Sequence, residues 1–555
     1  MMSRLLFAFL IIVPGVAHAA GGVVSAADPR AAAAGQAMLR QGGSATDAAM
    51  AMMLALTVVE PQSSGIGGGG FLVHHDAATG RIETIDGRET APASAGPTRF
   101  LDADGKPLPY SRAVPGGFSV GVPGNIRLMA MAHAKWGKLP WATLFQPAIT
   151  LAEDGFTISG STGRALASAA KNWNDFPEAR AIWWADGKPR TAGSTIRLPK
   201  LARLLETVAK GGPDAFYAGD AGEAIVRAVA TSKRNPTALT MVDLAEYRAK
   251  PRAAVCGAYR GYRICGMGPP SSGATTILQM LGMIERFDIP TMGSGSAVAW
   301  HLIGEAMQLA YADREKWLGD RDFVEVPVAG LIDPNYLRAR SRLISPTRAL
   351  ARYEAGTPPG APRRTAGVSS EVAGTTHFVA VDGEGDVASM TSTIEGPFGS
   401  QLMANGFFLN NELTDFTFTP QRDGASVANR VQPGKRPLSS MSPTIVYDSE
   451  GKVVLAVGSA GGKRIIMHVM KTLVGFIDWK LPAAQAIALP NLYFGGGALL
   501  VEKDTPLAAL APAMTKLGQT VTPADLGSKL NAVERVDGGW RGAADPRGEG
   551  VALNE

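Results

Sequence analysis

Helical and strand patterns of hydrophobic residues alternate along the first part of the chain, and helical patterns dominate its middle. Asp28 and Pro29 predict the start of one helix, because aspartate caps a first turn and proline suits its first position. Residues 44–47 have the pattern of a capping box that begins a second, buried helix. Helical spacing then prevails over residues 123–340, with loops expected at 173–190.

Beyond residue 374, apolar and polar positions alternate with the period of two that is typical of β-strands. The runs 375–382 and 387–393 flank a polar, glycine-containing turn and are predicted to form a hairpin. Folding this hairpin about its turn would bring Thr393 opposite Thr376. Helices and strands together predict a mixed α/β protein.

The stretch 344–372 has neither period and is rich in proline, serine and arginine. Such a composition is typical of a loop or linker, and we expect a mobile segment over about 344–374. It ends beside Gly374, where a chain that cuts its own backbone would need a segment that is free to move. A plain linker between domains is the alternative.

The N-terminal residues have the features of a secretory signal peptide. Arg4 gives a positive start, residues 5–12 form an apolar core, and Ala17, His18 and Ala19 form an A-x-A cleavage site. The apolar core is shorter than the about 20 residues that a membrane span needs. We therefore expect a cut after Ala19 and export to the periplasm or the cell exterior, with a membrane anchor as the alternative.

The composition is that of a large, mildly basic protein. The sequence has 555 residues, more than a typical single domain contains. Its formal net charge is +5, and the charged residues, 19% of the total, are spread along the chain. The sequence lacks basic clusters with interleaved aromatic residues, which argues against nucleic-acid binding. After the N-terminus, it also lacks a stretch long and apolar enough to span a membrane.

Cys256 and Cys265 are the two cysteines of the sequence, too few for a thiolate metal cluster. The residues between them have the pattern of a tight hairpin that turns at Arg260 and Gly261. That register places the cysteines directly opposite each other in a non-hydrogen-bonded pair, where side chains approach most closely. In an exported protein this predicts a cross-strand disulfide; two free buried thiols are the alternative.

Gly374 and Thr375 form the most informative pair in the sequence. A threonine hydroxyl is a poor nucleophile at neutral pH, but at a chain terminus its own α-amine, with a pKa of about 8, can act as the base. An internal threonine reaches that state only if the preceding peptide bond is cut. Glycine suits the preceding position because the hydroxyl can then approach the bond closely. Taken alone, the pair also fits an ordinary strand start.

Further motifs accompany this pair. They are the glycine-rich run 65–70, the Gly-Arg-Glu-Thr segment 86–92, and the segments 391–399, 409–416, 435–444 and 458–464. Together with 374–382 they resemble the γ-glutamyltranspeptidase family of N-terminal-nucleophile hydrolases, over essentially the whole mature chain. The resemblance implies an αββα sandwich of two stacked sheets between helical layers. It also implies self-cleavage into a large subunit, residues 20–374, and a small subunit, residues 375–555, without metal or organic cofactor.

The resemblance also assigns the reacting groups. Thr375 matches the family's nucleophile, and Thr393 matches the second threonine, which hydrogen-bonds it. Gly461 and Gly462 match a pair whose backbone N–H groups stabilise the oxyanion, at a helix start where the dipole also helps. A phosphate-binding loop is the rival for these glycines, but Arg464 stands where its motif needs Ser or Thr.

A γ-glutamyl donor carries a free α-carboxylate and a free α-ammonium group. Its recognition needs an arginine with hydroxyl donors for the first and carboxylates for the second. The resemblance gives the first role to Arg88 with Ser439 and Ser440. It gives the second role to Asp415, whose counterpart tends to be lost in relatives that cleave glutaryl side chains.

The chain departs from the family around this head-group site. Glu395 stands where well-known bacterial members have Asn, and Glu412 where some have Gln; both positions also face the α-amine. Two added acids sharpen the demand for a cationic group, and like charges this close can leave one carboxyl protonated. The lid segment 417–431 is shorter than in many members and lacks a tyrosine, which predicts a more open pocket.

These features predict an exported γ-glutamyltransferase or hydrolase. Its donor would be glutathione or a related γ-glutamyl compound, and water, an amino acid or a peptide would accept the γ-glutamyl group from Thr375. One alternative is an acylase or amidase of the same architecture that acts on a glutaryl β-lactam or on poly-γ-glutamate. The other is a periplasmic binding protein that is never cut.

Overall fold

The computed structural model describes residues 21–368, 372, 374–495 and 497–555. Across these ranges, two antiparallel β-sheets stack face to face and helices cover both outer faces. This arrangement is the αββα four-layer sandwich, so the predicted fold class is confirmed. The predicted signal peptide, residues 1–19, lies outside the described residues.

The first sheet has seven strands within the described ranges. Each strand pairs antiparallel with its neighbours. In spatial order they are Val551–Asn554, Val23–Ala26, Thr376–Val381, Val387–Thr393, Gly69–His75, Ile82–Asp86 and Lys250–Arg252. Strands from before and after residue 374 are therefore interleaved in one sheet.

The second sheet has six strands in the same part of the chain, and it too is antiparallel. In spatial order they are Gly539–Ala544, Asn531–Val536, Val453–Gly458, Thr444–Tyr447, Tyr262–Gly266 and Val255–Tyr259. Apolar side chains from the inner faces of both sheets form one buried layer, with Val73, Val379 and Val387 from the first sheet against Ile445 and Val533 from the second.

Two groups of helices bury their apolar faces on the outer sides of the sheets. The main helices on the first sheet are Pro29–Arg40, Ala45–Val59, Asn125–Trp136, Gln146–Asp154 and Pro199–Gly211. Those on the second are Gly273–Ile284, Ala297–Trp317, Pro334–Ser341, Arg464–Ile477 and Ala483–Ala488. Ser44 and Asp47 form the predicted capping box of Ala45–Val59, all of whose residues are buried.

Shorter elements complete the chain. The remaining α-helices are Tyr110–Ala113, Gly160–Ala169, Pro177–Trp183, Asp214–Tyr217, Gly219–Ala230, Met241–Glu246, Ile289–Met292, Val328–Leu331, Pro506–Ala509 and Ala511–Lys516. The 3-10 helices are Gly117–Ser119, Trp141–Phe145, Ala170–Asp175 and Glu412–Asp415. The short strands pair as Phe156–Thr157 with Thr195–Ile196, Trp184–Ala185 with Lys188–Pro189, Met403–Ala404 with Phe407–Phe408, Gln421–Arg422 with Ala425–Ser426, and Leu492–Gly495, Ala498–Glu502 and Val521–Ala524 together.

The prediction of loops at 173–190 is wrong for most of that stretch. It contains the helix Pro177–Trp183 and the small hairpin that follows it. Trp173 and Trp183 are fully buried, and both pack against Phe398. Because Phe398 lies far away in the sequence, local hydrophobic spacing could not reveal this order.

The predicted hairpin after residue 374 is present, but its register differs by one residue from the prediction. Thr376 pairs with Ser392, not with Thr393. The loop is centred on Glu384, because the Asp382 carboxylate accepts hydrogen bonds from the N–H groups of Glu384 and Asp386. The shift places Thr393 opposite Thr375, the residue before Thr376.

Cys256 and Cys265 form the predicted disulfide across neighbouring strands. Arg260 and Gly261 both have positive φ, +46° and +82°, as a tight two-residue hairpin turn requires. Within residues 344–368 the chain is irregular. Its contacts with the rest of the protein include hydrogen bonds from the Leu350 and Gly356 N–H groups to the Glu305 and Asp313 carboxylates and a bridge between Thr365 and Val427. Among the described residues, no helix combines the length and the hydropathy that crossing a membrane requires.

Candidate active site

Several strand ends meet at one end of the sandwich. Thr376–Val381 and Thr444–Tyr447 begin there, and Val387–Thr393, Ile82–Asp86 and Val453–Gly458 end there. A cavity lies between these ends, and nine of the ten predicted catalytic and substrate-binding residues line it: Arg88, Thr375, Thr393, Glu395, Glu412, Asp415, Ser439, Ser440 and Gly462. The tenth, Gly461, directly precedes Gly462.

Thr375 lies buried at the start of the hairpin. Its N–H donates to the Ser63 carbonyl over 3.0 Å, and the same carbonyl accepts from the N–H of Ile394. Its Oγ1 lies 3.0 Å from Oγ1 of Thr393, which accepts a hydrogen bond from the Glu395 N–H. The two hydroxyls are therefore close enough to exchange a proton.

The backbone around the bond between Gly374 and Thr375 is tightly constrained. Thr375 has a φ of +78° and Glu395 a φ of +75°. This left-handed region costs about 1–3 kcal/mol for a residue other than glycine. A Cβ on Gly374 would lie 1.7 Å from the Glu395 carbonyl oxygen, so only glycine fits before Thr375.

Replacing Gly374 by alanine is expected to slow cutting of the bond before Thr375 by about 100-fold or more. The added Cβ must push the Glu395 backbone away, and a displacement of about 1 Å can cost that factor. Denaturing electrophoresis over time after purification measures the uncut fraction. Gly527→Ala is the matched control, because nothing lies within 4 Å of its added Cβ. Cutting of the Gly374→Ala chain at the wild-type rate would contradict this account.

Arg88 is buried, and protein acceptors surround its guanidinium group. Nη1 donates to Glu412, Nη2 donates to Asp415 and to the Leu438 carbonyl, and Nε donates to the Pro437 carbonyl. Although burial lowers it, the pKa of Arg88 is raised overall by the Glu412 and Asp415 carboxylates. A carboxylate bound to Arg88 would share it with these two acidic side chains.

The acidic side chains of the cavity are themselves strongly perturbed. Burial raises the pKa of Glu395 well above its usual value, and the Asp415 charge raises it further. Burial also raises the pKa of Glu412 strongly, with Arg88 opposing this effect, and it raises the pKa of the adjacent Glu89 to about 7. Burial thus favours the protonated form of these acidic side chains, and a bound cation would favour their ionised form.

Two side chains without a predicted role hold the Glu395 carboxylate. The Tyr110 hydroxyl lies 3.0 Å from both of its oxygens, and Asn411 Nδ2 donates to Oε2. The Val372 N–H, just before the proposed cut, also donates to Glu395. Tyr110 therefore contacts this site although it lies outside the lid segment 417–431. The sequence analysis considered only the lid segment, which has no tyrosine, and did not predict this contact.

A second buried arginine supports the serine pair from behind. Arg314 Nη2 donates to Ser440 Oγ over 2.8 Å, and its Nε donates to Ser272 Oγ. Ser272 in turn donates through its N–H and its hydroxyl to the Ser439 carbonyl. The helix Ala297–Trp317 therefore positions the two serines through Arg314.

The glycine pair lies in the turn between Val453–Gly458 and the helix Arg464–Ile477. Gly461 has a φ of +133° and Gly462 a φ of +60°, backbone conformations that residues other than glycine rarely adopt. Gly462 lines the same cavity as Thr375, at the N-terminal end of the helix. Backbone N–H groups at such an end suit a developing negative charge.

Sequence reasoning missed four residues that shape this site. Ser63 stands just before the glycine-rich run 65–70, and Asn411 lies inside one of the motifs, so both had a local signal. Tyr110 and Arg314 had none, because they reach the cavity through contacts with Glu395 and Ser440 that are distant in sequence.

Comparison with known proteins agrees with this geometry. The sequence model of the gamma-glutamyltranspeptidase family matches residues 31–554. The glutathione hydrolase proenzyme of Bacillus subtilis (strain 168) is 36% identical over 495 residues, covering 87% of this chain and 83% of the relative. The acylase ACY 1 proenzyme of Pseudomonas sp. (strain SE83) is also 36% identical, over 87% of this chain and 84% of the relative.

Solved structures share the fold. The crystal structure of cephalosporin acylase from Bacillus halodurans superposes with a TM-score of 0.85, covering 100% of this chain and 99% of that one. Its sequence identity is 24%, so it supports the architecture alone.

Proposed function

Because this chain belongs to the γ-glutamyltranspeptidase family, we propose that it is an enzyme that transfers or hydrolyses γ-glutamyl groups. Its donors are glutathione and related γ-glutamyl compounds, and its acceptors are water, amino acids or peptides. Like the relatives named as proenzymes, it is made as a precursor. The precursor is exported and cut between Gly374 and Thr375, and the subunits 20–374 and 375–555 stay associated.

The first reaction breaks the chain's own backbone. The Thr375 hydroxyl gives up its proton and adds to the carbonyl carbon of Gly374, and the peptide nitrogen leaves as the α-amine of Thr375. Water then hydrolyses the resulting ester and frees the hydroxyl. The 3.0 Å contact with the Thr393 hydroxyl supports this step, because it gives the proton a path.

The second reaction uses the α-amine that the first one creates. This amine takes the Thr375 hydroxyl proton as the oxygen attacks the γ-amide carbonyl, and the N–H groups of Gly461 and Gly462 stabilise the oxyanion. The amine half of the donor takes a proton and leaves, so the γ-glutamyl group is held as an ester on Thr375. Attack on this ester by water or by an acceptor amine releases the product.

One observation carries the choice of donor: Thr375, Arg88 and Asp415 line the same cavity, and Arg88 pairs with Asp415. An α-amino acid head group places a carboxylate next to an ammonium group, and it therefore needs both kinds of partner side by side. The hydroxyls of Ser439 and Ser440 add donors for the carboxylate. A glutaryl group has no ammonium for the acidic side chains to neutralise.

The substitution Asp415→Asn tests this proposal. We expect kcat/KM for γ-glutamyl-p-nitroanilide to fall by about 100-fold or more, because a buried charged partner of the ammonium is lost. For glutaryl-p-nitroanilide we expect little change. Asp423→Asn, an exposed change in the lid segment, is the control for charge alone. A protein that cleaves the glutaryl donor well and the γ-glutamyl donor poorly would refute the proposal.

An acylase for another side chain is the second candidate. The same assay tests it, because the acylase ACY 1 proenzyme and the glutathione hydrolase proenzyme are both 36% identical to this chain. Sequence identity therefore does not distinguish the two candidate activities. The acidic side chains Glu395, Glu412 and Asp415 do, because they favour a donor that carries a cation.

A further inference from the structure

A largely buried ion pair lies close to Thr375 but outside the residues that line the cavity. Lys529 Nζ lies 2.7 Å from Glu60 Oε1, and the two side chains are 24% and 5% exposed. Glu60 ends the helix Ala45–Val59, so it belongs to the proposed large subunit, whereas Lys529 belongs to the small one. In the described part of the chain, no other cation lies within ion-pair distance of the Glu60 carboxylate. Lys529 is therefore the group that neutralises it there.

Both members of this pair contact the groups that hold Thr375. Lys529 Nζ also donates to Ser63 Oγ over 2.9 Å, and the Ser63 carbonyl accepts the Thr375 N–H over 3.0 Å. The second Glu60 oxygen, Oε2, accepts a hydrogen bond from the Thr376 hydroxyl. The pair thus contacts both the residue that follows Thr375 and the residue that accepts the hydrogen of the Thr375 nitrogen.

The backbone on both sides of Lys529 is fixed by one carboxylate. The hydroxyl of the preceding residue, Ser528, donates to Asp545 Oδ2. The N–H of the following residue, Leu530, donates to the same oxygen over 3.2 Å. The lysine side chain therefore extends from a backbone that is held in place, as a residue that positions other groups requires.

The charge of the pair matters because cutting turns the Thr375 amide nitrogen into an amine. Only the uncharged amine can take the proton of the Thr375 hydroxyl. A nearby carboxylate without a counter-charge favours the ammonium form and so raises the pKa of the amine. A cation beside that carboxylate offsets this effect. The hydrogen bond to the Ser63 carbonyl adds orientation, since it fixes the direction of one N–H of the amine.

We propose that Lys529, through Ser63 and Glu60, positions the α-amine of cut Thr375 and offsets the carboxylate charge that would otherwise keep this amine protonated. Lys529 contacts neither the donor site nor the reacting oxygen, so it is a positioning residue. The inference rests on the proposed function and goes beyond it, because it assigns the control of the base to an ion pair between the two subunits.

Other titratable groups also surround Thr375, and the variants compared below leave them unchanged. Those in the cavity wall are Arg88, Glu395, Glu412 and Asp415. The helix after the glycine pair adds Lys463 and Arg464 at its start. Burial lowers the pKa of His377 to about 3 and that of His468 well below its usual value, so both are neutral. A difference between variants of the pair therefore originates in the pair.

The pH profile of kcat/KM for γ-glutamyl-p-nitroanilide tests the inference, because its acid limb reports the pKa of the base in the free enzyme. We expect Lys529→Met to move this limb to higher pH by about 0.5–1 unit, since Glu60 loses its counter-charge. Glu60→Gln should move it to lower pH by a similar amount. The double variant Lys529→Met, Glu60→Gln should return it to the wild-type position, and Lys529→Arg should leave it there.

Lys503→Met is the matched control. Lys503 pairs with Asp525 over 2.9 Å at an exposed position of the small subunit, so its loss removes the same charge and should not move the limb. If Lys529→Met lowers kcat/KM equally at every pH, the pair only joins the subunits and the inference is overturned. An equal shift in Lys503→Met overturns it as well. If Lys529→Met does not fold, Glu60→Gln decides alone, and a limb that does not move to lower pH overturns the inference.

A second measurement separates this inference from the proposed function. If the cut wild type cleaves no γ-glutamyl donor, the proposed function fails. The rate at which acetic anhydride acetylates the Thr375 α-amine is then followed against pH by peptide mass spectrometry. Opposite shifts in Lys529→Met and Glu60→Gln support the inference, and equal midpoints overturn it. A wild-type chain that stays whole has no such amine and overturns both.

Discussion

Replacing Thr375 by alanine is expected to leave the chain whole and to lower γ-glutamyl-transferring activity by at least about 10⁴-fold. The variant lacks the hydroxyl that attacks the Gly374 carbonyl, and without a cut it also lacks the α-amine that acts as base. Intact mass and N-terminal sequencing, beside the wild type, measure both effects. The wild type should give two fragments, the smaller beginning at Thr375.

Thr375→Ser is the matched control. Serine keeps the hydroxyl but loses the β-branch that restricts the side chain to few rotamers, so we expect slower yet complete cutting and reduced activity. A folded wild-type chain that stays uncut would remove the α-amine from the mechanism. The uncleaved periplasmic binding protein would then become the leading interpretation.

Replacing Arg88 by glutamine should abolish measurable activity and lower the free energy of unfolding by about 3–5 kcal/mol. Arg88 is 1% exposed and pairs with both Glu412 and Asp415, so its loss leaves buried carboxylates without a counter-charge. It also removes the proposed partner of the donor carboxylate. Urea unfolding at one fixed protein concentration and kcat/KM for γ-glutamyl-p-nitroanilide measure the two effects separately.

A second change separates stability from substrate binding. Arg88→Gln, Glu412→Gln removes one cation and one anion, so it should recover part of the lost stability and none of the activity. Arg88→Lys keeps the charge but loses the forked geometry, and should retain stability better than activity. If the double variant recovers activity as well, Arg88 does not bind the donor.

Sequence reasoning succeeded for this fold where local chemistry decides the structure. Ser44 and Asp47 begin a helix through contacts three residues apart, and the turn at Arg260 and Gly261 sets the register that joins the cysteines. It failed at 173–190, where tryptophans are held by aromatic residues more than 200 positions away. Such long-range contacts produce no hydrophobic periodicity in the sequence.

The candidate site was likewise predicted only in part. The family motifs identify the residues that line the cavity, because each motif keeps its chemistry together in sequence. The motifs do not give backbone conformation, so the positive φ of Thr375 and Glu395 and the one-residue register shift of Thr393 could not be predicted. Nor do they reveal Tyr110, whose contact with Glu395 joins positions 285 residues apart.

The interleaved first sheet has a consequence for the molecularity of unfolding. Val23–Ala26 lies between Val551–Asn554 and Thr376–Val381, so strands of the proposed large and small subunits are each other's neighbours. Before the cut, unfolding is a unimolecular reaction; after it, complete unfolding also separates two chains, and stability becomes dependent on protein concentration. Assembly of this sheet from one uncut chain therefore needs no bimolecular step, whereas assembly from two separate subunits does.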